Sequence, residues 1–285
     1  HALRLMSTSN GSAADSVAAT YYDSQDADRF YELVWGGEDI HIGLYATPDE
    51  AIATASDRTV HALLDLADTL PQGGCVVDLG AGYGGASRRL ARWSERSVHA
   101  INISSVENDR HRQLNIDAGL DQQITVHDAS FEQVPVADAS ADLVWSQDAI
   151  LHAGDRAKVL AEVSRLLKPG GCFVFTDPMA ADGVEMGLLQ PILDRIHLPD
   201  LASPARYKAW GEAVGLTLEV WDERTEMLVR HYDRVRQDTR SRRAELEASI
   251  SSAYLDRMDV GLGHWVEGGQ QGRLSWGLMR LRKTD

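Results

Sequence analysis

Between residues 75 and 176, short apolar runs alternate with amphipathic stretches whose apolar residues recur every three or four positions. The runs fall at 75–79, 97–103, 124–127, 143–147 and 172–176, and the amphipathic stretches at 86–93, 106–118 and 156–167. Strand and helix in alternation predict a parallel sheet with helices on both faces, an α/β, doubly wound, Rossmann-like core. Ahead of it, 27–35 has helical spacing and stops at Gly36-Gly37. Thr47-Pro48-Asp49-Glu50 then resembles a capped start for a helix over 51–70, which Pro71-Gln72-Gly73-Gly74 breaks. After Asp177-Pro178 the pattern predicts helices over 188–196, 203–214 and 230–249 and strands over 217–222 and 274–282. Residues 7–20 are small and polar with no apolar period, so 1–20 reads as a mobile tail. The plan is thus a tail at 1–20, an N-terminal helical arm at 21–70, the core at 71–178, and an inserted helical cap within 179–285 that also returns the last strands to the sheet. The chain has no internal repeat.

Charge and composition narrow the partners. With 43 acidic and 28 basic residues the net charge is −15, which argues against any partner held through its phosphates, nucleic acid above all. A hydrophobic share of 44% with 25% charged residues is an ordinary globular mixture and excludes disorder as the dominant state. No apolar run approaches the ~20 residues of a membrane-spanning helix, and the start lacks the pattern of a signal peptide. No membrane partner is expected, and the chain reads as cytoplasmic. His1-Ala2-Leu3-Arg4-Leu5 precedes Met6-Ser7, which reads as a native start behind a short added tag. Cys75 and Cys172 each lie beside an apolar run, so a disulfide framework has little support. Only Lys158, Lys168, Lys208 and Lys283 are lysines. Such a Lys-poor, Asp-rich chain suits either a high-salt setting or a GC-rich bacterial source.

The first chemistry lies at Asp78-Leu79-Gly80-Ala81-Gly82-Tyr83-Gly84-Gly85, a strand running into a glycine loop and then a helix. Glycines permit the tight turn and let a ligand approach the backbone. Gly80, Gly82 and Gly85 also satisfy the dinucleotide fingerprint G-x-G-x-x-G. Asp78, two residues ahead of the first glycine, repels a pyrophosphate but suits the cationic amino-acid end of S-adenosylmethionine (SAM), which favours SAM over NAD. At the end of the second strand stands Asn102, able to bond a ribose diol but a departure from the usual acid. Asp128-Ala129-Ser130 follows the third strand, where an adenine edge is read, and Leu167-Lys168-Pro169-Gly170-Gly171 forms a turn before the fifth. The cofactor candidates are therefore Asp78, Gly80, Gly82, Asn102, Asp128, Ala129, Ser130 and Gln147, and no metal is called for.

At the carboxyl end of the fourth strand, where open α/β sheets bind ligands, comes Trp145-Ser146-Gln147-Asp148-Ala149-Ile150-Leu151-His152. Asp148 and His152 are four apart, so a helix starting here puts both on one face. They then either orient an amine, or Asp148 simply caps the helix and holds His152.

These fragments, with Tyr21-Tyr22-Asp23, Trp35-Gly36-Gly37-Glu38-Asp39-Ile40-His41, Thr176-Asp177-Pro178-Met179, Gln190-Pro191-Ile192-Leu193-Asp194-Arg195-Ile196 and His264-Trp265-Val266-Glu267-Gly268-Gly269, resemble the sarcosine/dimethylglycine N-methyltransferases. The resemblance runs from Tyr21 to Lys283, and the D-x-x-x-H element alone is similar to phosphoethanolamine methyltransferases as well. It implies a class I methyltransferase fold, SAM as methyl donor, and a small zwitterionic amine as acceptor, methylated to glycine betaine. Betaine is a compatible solute, in keeping with a halophile's composition. The implied catalytic residues are Tyr22, Asp148 and His152. The expected acceptor contacts are Trp35, Gln147, Arg195, Arg206 and Tyr207, with Tyr22 and Trp210 as further aromatic walls for a quaternary cation and an arginine for the carboxylate. The rival expectations are a methyltransferase of another small acceptor, either phosphoethanolamine or a natural-product hydroxyl, and a non-catalytic SAM-binding protein.

Overall fold

The computed structural model describes residues 25–35, 38–67 and 70–284. The expected tail, together with Tyr22 and Gly36-Gly37, lies outside the described residues. The chain divides into two compact units. The sheet unit comprises Val60–Asp182, Ala202–Arg224 and the segment from Ser275. The helical unit comprises the segment up to Thr59, Gly183–Leu201 and Thr225–Leu274. The 179–285 stretch, expected as one block of cap and returning strands, is thus shared between them.

The sheet unit is built on strands β1 (Cys75–Leu79), β2 (Val98–Asn102), β3 (Ile124–Asp128), β4 (Ala141–Gln147), β5 (Leu167–Thr176), β6 (Leu216–Glu223) and β7 (Gly277–Lys283). Their order is β3-β2-β1-β4-β5-β7-β6. The first five run parallel, and β7 enters antiparallel between β5 and β6. Every residue of β1 and β4 is buried, which is why these strands read as unbroken apolar runs rather than alternating ones. One acid interrupts β4: Asp142 is fully buried, accepts the Gly74 N–H at 2.8 Å, and pairs with Arg96 at 3.1 Å and Lys168 at 3.3 Å. The expected turn before the fifth strand is a loop-out within it, since the register passes from Ala141↔Leu167 to Leu143↔Cys172. Cys75 and Cys172 are buried and are not joined in a disulfide.

Helix α1 (Ile52–Leu66) is shorter than the 51–70 expected. The carboxylate of Glu50, read as part of a cap, instead accepts from the Ala46 N–H at 2.9 Å and from Arg58 at 2.6 Å. The sheet unit carries α2 (Gly85–Ser94), α3 (Ser105–Asp117), α4 (Arg156–Leu166) and α6 (Pro204–Ala213), while α5 (Gln190–Ile196) belongs to the helical unit. Side-chain caps by Ser104, Asp155 and Ser203 start α3, α4 and α6.

In the helical unit, a π-helical turn at Tyr31–Trp35 precedes two long helices, α7 (Thr225–Ser241) and α8 (Ser252–Gln270). The helix expected over 230–249 is α7 followed by a short turn at Arg243–Leu246, and α8 is an addition that the pattern did not predict. No helix among the described residues is long and apolar enough to cross a membrane.

Candidate functional site

At one edge of the sheet β2, β3 and β4 end in Asn102, Asp128 and Gln147, and Asp78 stands one residue before the end of β1. Gly80 follows β1 in the left-handed region at φ 73°, and a Cβ there would lie 2.4 Å from that of Ala149, so this turn admits only glycine. At Gly84, φ 83°, a Cβ would meet the His111 ring at 1.9 Å. His111, which the sequence reading missed, is fully buried and kept neutral. Burial, aided by Arg88 and Arg112, pushes its pKa down to about 3.

Asp78 is buried and accepts the Ser87 hydroxyl at 2.6 Å. Asn102 donates to Glu107 Oε2 at 2.8 Å, both residues being buried. An acid thus stands beside Asn102, in the first turn of α3 five residues on. Asn102 is register-paired with Asp128. Asp128 accepts from Asn108 at 2.9 Å and pairs with Arg112, and these partners hold its carboxyl below the usual range. Ala129 donates its N–H to the Asn102 carbonyl, and Ser130 Oγ accepts from Glu132 N–H at 3.1 Å. Gln147, only 3% exposed, accepts from the Trp145 indole at 3.2 Å, while its amide nitrogen finds no partner among the described residues. A buried carboxylate, a glycine turn, an amide and a carboxylate at adjacent strand ends, and an unsatisfied amide form a cradle suited to a nucleoside-bearing cofactor with a cationic end.

The Asp148–His152 element corrects the expectation of a shared helix face. Asp148 has φ 49°, the chain then makes a 3-10 turn at Ile150–His152, and the helix proper starts at Arg156 under an Asp155 cap. Asp148 is therefore not the helix cap either. Its N–H donates to the Thr176 carbonyl at 2.8 Å and its Oδ1 accepts the Trp276 indole at 2.9 Å. Beneath the turn lies Asp177, fully buried, accepting the Leu151 N–H at 3.0 Å and the Tyr207 hydroxyl at 2.6 Å. Burial outweighs these bonds and the nearby Arg156, raising its carboxyl to about 7. Two expected acceptor contacts have structural surroundings here. Tyr207 is buried on Asp177 with its ring edge-on to Phe175, 5.0 Å between centroids. Arg206 is exposed and lies over the Trp210 ring at 4.7 Å. Tyr207 and Trp210 themselves pack edge-to-face at 5.6 Å, so neither ring offers a free wall.

In the helical unit, Trp35 is buried among Phe30, Tyr31 and His231, with ring centroids 6.0, 5.1 and 5.3 Å away. Its indole nitrogen has no partner among the described residues. Arg195 lies half-buried against α8, where a Cβ at Gly261 would stand 1.8 Å from its Nε. It donates to the Met258 thioether at 3.3 Å, and no carboxylate among the described residues pairs with it. Burial lowers its pKa, with Tyr254 and Tyr31 acting in the opposite sense. No cluster of three or more His, Cys, Asp or Glu suited to a metal occurs among the described residues.

A methyltransferase domain family matches residues 77–175. Over 98% of its length the chain is 94% identical to the dimethylglycine N-methyltransferase of Parasynechococcus marenigrum (strain WH8102), covering 99% of that protein. It is 48% identical to the sarcosine/dimethylglycine N-methyltransferase of Aphanothece halophytica, over 95% of this chain and 99% of the other. A crystal structure of a Galdieria sulphuraria protein assigned as a sarcosine dimethylglycine methyltransferase superposes with a TM-score of 0.87 at 44% identity, covering 93% of this chain and 99% of that one.

Proposed function

The chain belongs to the sarcosine/dimethylglycine N-methyltransferase family, and on that premise we propose that it methylates dimethylglycine, and also sarcosine, to yield glycine betaine, with SAM as the methyl donor. The observation that carries this reading is the 94% identity to the Parasynechococcus enzyme, which extends over both units and not over the glycine loop alone. The product is a compatible solute, in keeping with the acidic, Lys-poor composition. The setting is the cytoplasm, because acceptor and product are small water-soluble zwitterions.

When bound, SAM supplies a methyl group on a positively charged sulfur. Everything else is positioning. Asp78 holds the cationic amino-acid end, Gly80 and Gly82 let the backbone close on the ligand, Asn102 with Glu107 takes the ribose diol, and Asp128 with Ala129 and Ser130 borders the base. The unsatisfied Gln147 amide gains a partner when the site fills, which is what supports its inclusion. On the acceptor side Arg195 holds the carboxylate and Trp35 lines the acceptor. Asp148 fixes the turn that presents His152, and His152 favours the unprotonated amine, the only form with a lone pair for in-line attack. Tyr22 belongs to the same reading by its motif. Dimethylglycine ends as a fixed cation with no proton to lose, whereas sarcosine must release one afterwards.

Incubation with SAM and, in parallel, glycine, sarcosine, dimethylglycine and phosphoethanolamine tests the reading through release of S-adenosylhomocysteine. The expected result is release with dimethylglycine and sarcosine. Release with phosphoethanolamine alone, or with none, overturns it. If the neutral amine reacts, kcat/KM rises from neutral toward alkaline pH and betaine competes with dimethylglycine. A flat profile without betaine inhibition contradicts the small-zwitterion acceptor.

A further inference from the structure

Among the buried nitrogens of the helical unit that meet no acceptor among the described residues are Trp35 Nε1, Arg195 Nε and His231 Nε2. Indole and guanidinium nitrogens are donors by their chemistry. His231 is a donor by geometry. The backbone N–H of Gly43 can only donate, and it lies 3.2 Å from His231 Nδ1. That nitrogen therefore presents its lone pair, and the ring hydrogen sits on Nε2. The Tyr45 hydroxyl, 2.8 Å from the same Nδ1, donates beside it. The ring is completely buried and stays neutral, since burial pushes its pKa down to about 3.

The chain is shaped to hold this tautomer. A Cβ at Gly43 would stand 2.6 Å from the Ala55 Cβ and 2.8 Å from its carbonyl carbon, so only glycine brings this N–H so close. On either side, Thr59 Oγ1 donates to the Ile42 carbonyl at 2.8 Å and accepts the Leu44 N–H at 3.0 Å. Trp35 and His231 belong to one aromatic cluster, and Arg195 is connected to it through Tyr31. His231 and Trp35 have ring centroids 5.3 Å apart, Tyr31 lies 5.1 Å from Trp35, and Tyr31 is in turn within the electrostatic reach of Arg195. Buried N–H groups without acceptors cost stability unless a ligand pairs them. Since all three are donors and only the guanidinium is charged, the group they await accepts only and carries a single negative charge. A carboxylate fits both conditions, while an ammonium is itself a donor and a phosphate monoester carries more charge.

We propose that His231 is an acceptor-binding residue, its Nε2–H joining Trp35 and Arg195 as donors to the carboxylate of an N-methylated amino acid. This inference rests on the reading of dimethylglycine as acceptor, and its test separates the two. In the full-length enzyme, His231→Phe and His231→Gln are compared by steady-state kinetics. Calorimetry on protein saturated with S-adenosylhomocysteine then compares 3-methylbutanoate, which keeps the carboxylate without the nitrogen, with tetramethylammonium, which keeps the cation alone. For His231→Phe the KM for dimethylglycine is expected to rise at least tenfold with kcat within about twofold. 3-Methylbutanoate should weaken in parallel, and tetramethylammonium and S-adenosylhomocysteine should bind as before. His231→Gln, whose amide N–H reaches toward the Nε2 position, should recover most of the loss. His231→Asn, whose amide reaches only the Nδ1 position, should reproduce the loss without an apolar ring, which keeps the test decisive if the phenylalanine variant misfolds. Unchanged carboxylate binding, equal weakening of both probes, or a glutamine variant no better than asparagine overturns the proposal. Wild-type protein that binds 3-methylbutanoate through His231 but turns over no dimethylglycine would sink the acceptor reading and leave this site standing.

Discussion

The two units handle polar groups differently. Along the sheet edge most side chains already answer one another: Asp78 has Ser87, Asn102 has Glu107, and Asp128 has Asn108 and Arg112, the Gln147 amide being an exception. In the helical unit the donors of Trp35, Arg195 and His231 have no such answer among the described residues. A ligand at the sheet edge therefore meets side chains that are already fixed in place, and its binding energy comes from charge and shape rather than from new ordering. A ligand among the helical donors supplies what the fold left out. On the assignment proposed above, the first arrangement would favour affinity for a common cofactor and the second discrimination, because an acceptor without a carboxylate would leave buried donors unpaired.

The largest expected effect breaks the paired side. Asp78→Ala removes a buried carboxylate, so affinity for S-adenosylhomocysteine should fall about 100-fold, or ~2.7 kcal/mol, by calorimetry. Its KM for dimethylglycine at saturating SAM should barely move. Unchanged affinity would place the cationic end of the cofactor elsewhere. Next comes the unpaired side, where Arg195→Met should raise the KM for dimethylglycine about 30-fold, the equivalent of ~2 kcal/mol for a charge-assisted contact, with cofactor affinity intact. Equal losses for both ligands would erase the distinction between the units. Gly261→Ala acts on the same arginine from behind by occupying its space, and a rise of about fivefold in that KM is expected, ~1 kcal/mol.

The smallest effect is in stability against pH. His231 and His111 titrate near 3 when folded, below the ordinary 6.5, so the unfolded chain takes up protons that the fold refuses. Their contribution is present above pH 6.5 and is lost as pH falls toward 3. Asp177, raised to about 7, has the opposite sign: its contribution is present below about pH 4 and lost as pH rises through 7. Between pH 6.5 and 4 the two oppose each other. Asp177→Asn should therefore steepen the acid loss of Tm and His231→Gln should soften it, each by about 2–4 °C over that interval in thermal melts. Parallel curves for all three proteins would contradict the buried-neutral assignment.

The sheet side was legible because its signals are local. Strand runs, the Asp78 to Gly85 loop and the chain order of strand ends follow from periodicity and spacing within ten residues. Where the reading failed, a distant contact had overridden a local rule. Asp148 looked like the start of a helix, yet its bonds to Thr176 and Trp276 hold it at φ 49°. Helix α8 was hidden by Gly261, Gly263, Gly268 and Gly269, which lower helix propensity. Each of these residues leaves room for a side chain of another segment, Arg195, Arg236, Ile192 and Val229 respectively. Glu107 and His231 carried no local signal at all. Glu107 pairs with Asn102 from five residues on, and His231 is a single imidazole on a polar helix, given meaning only by Gly43 and Tyr45.

Strand β7 has one more consequence, in the order of events at the ribosome. It is the last of the seven strands in chain order, yet it lies between β5 and β6, so β5 waits for its partner while residues 177–276 emerge and β6 while residues 224–276 do. During that time β5 presents an open edge of the kind that recruits other strands. Closure requires residues 277–283 to insert in antiparallel register between two waiting strands, a step with high sequence separation on the β5 side. A chain stalled before residue 277 would therefore expose two unsatisfied edges at once, one on β5 and one on β6.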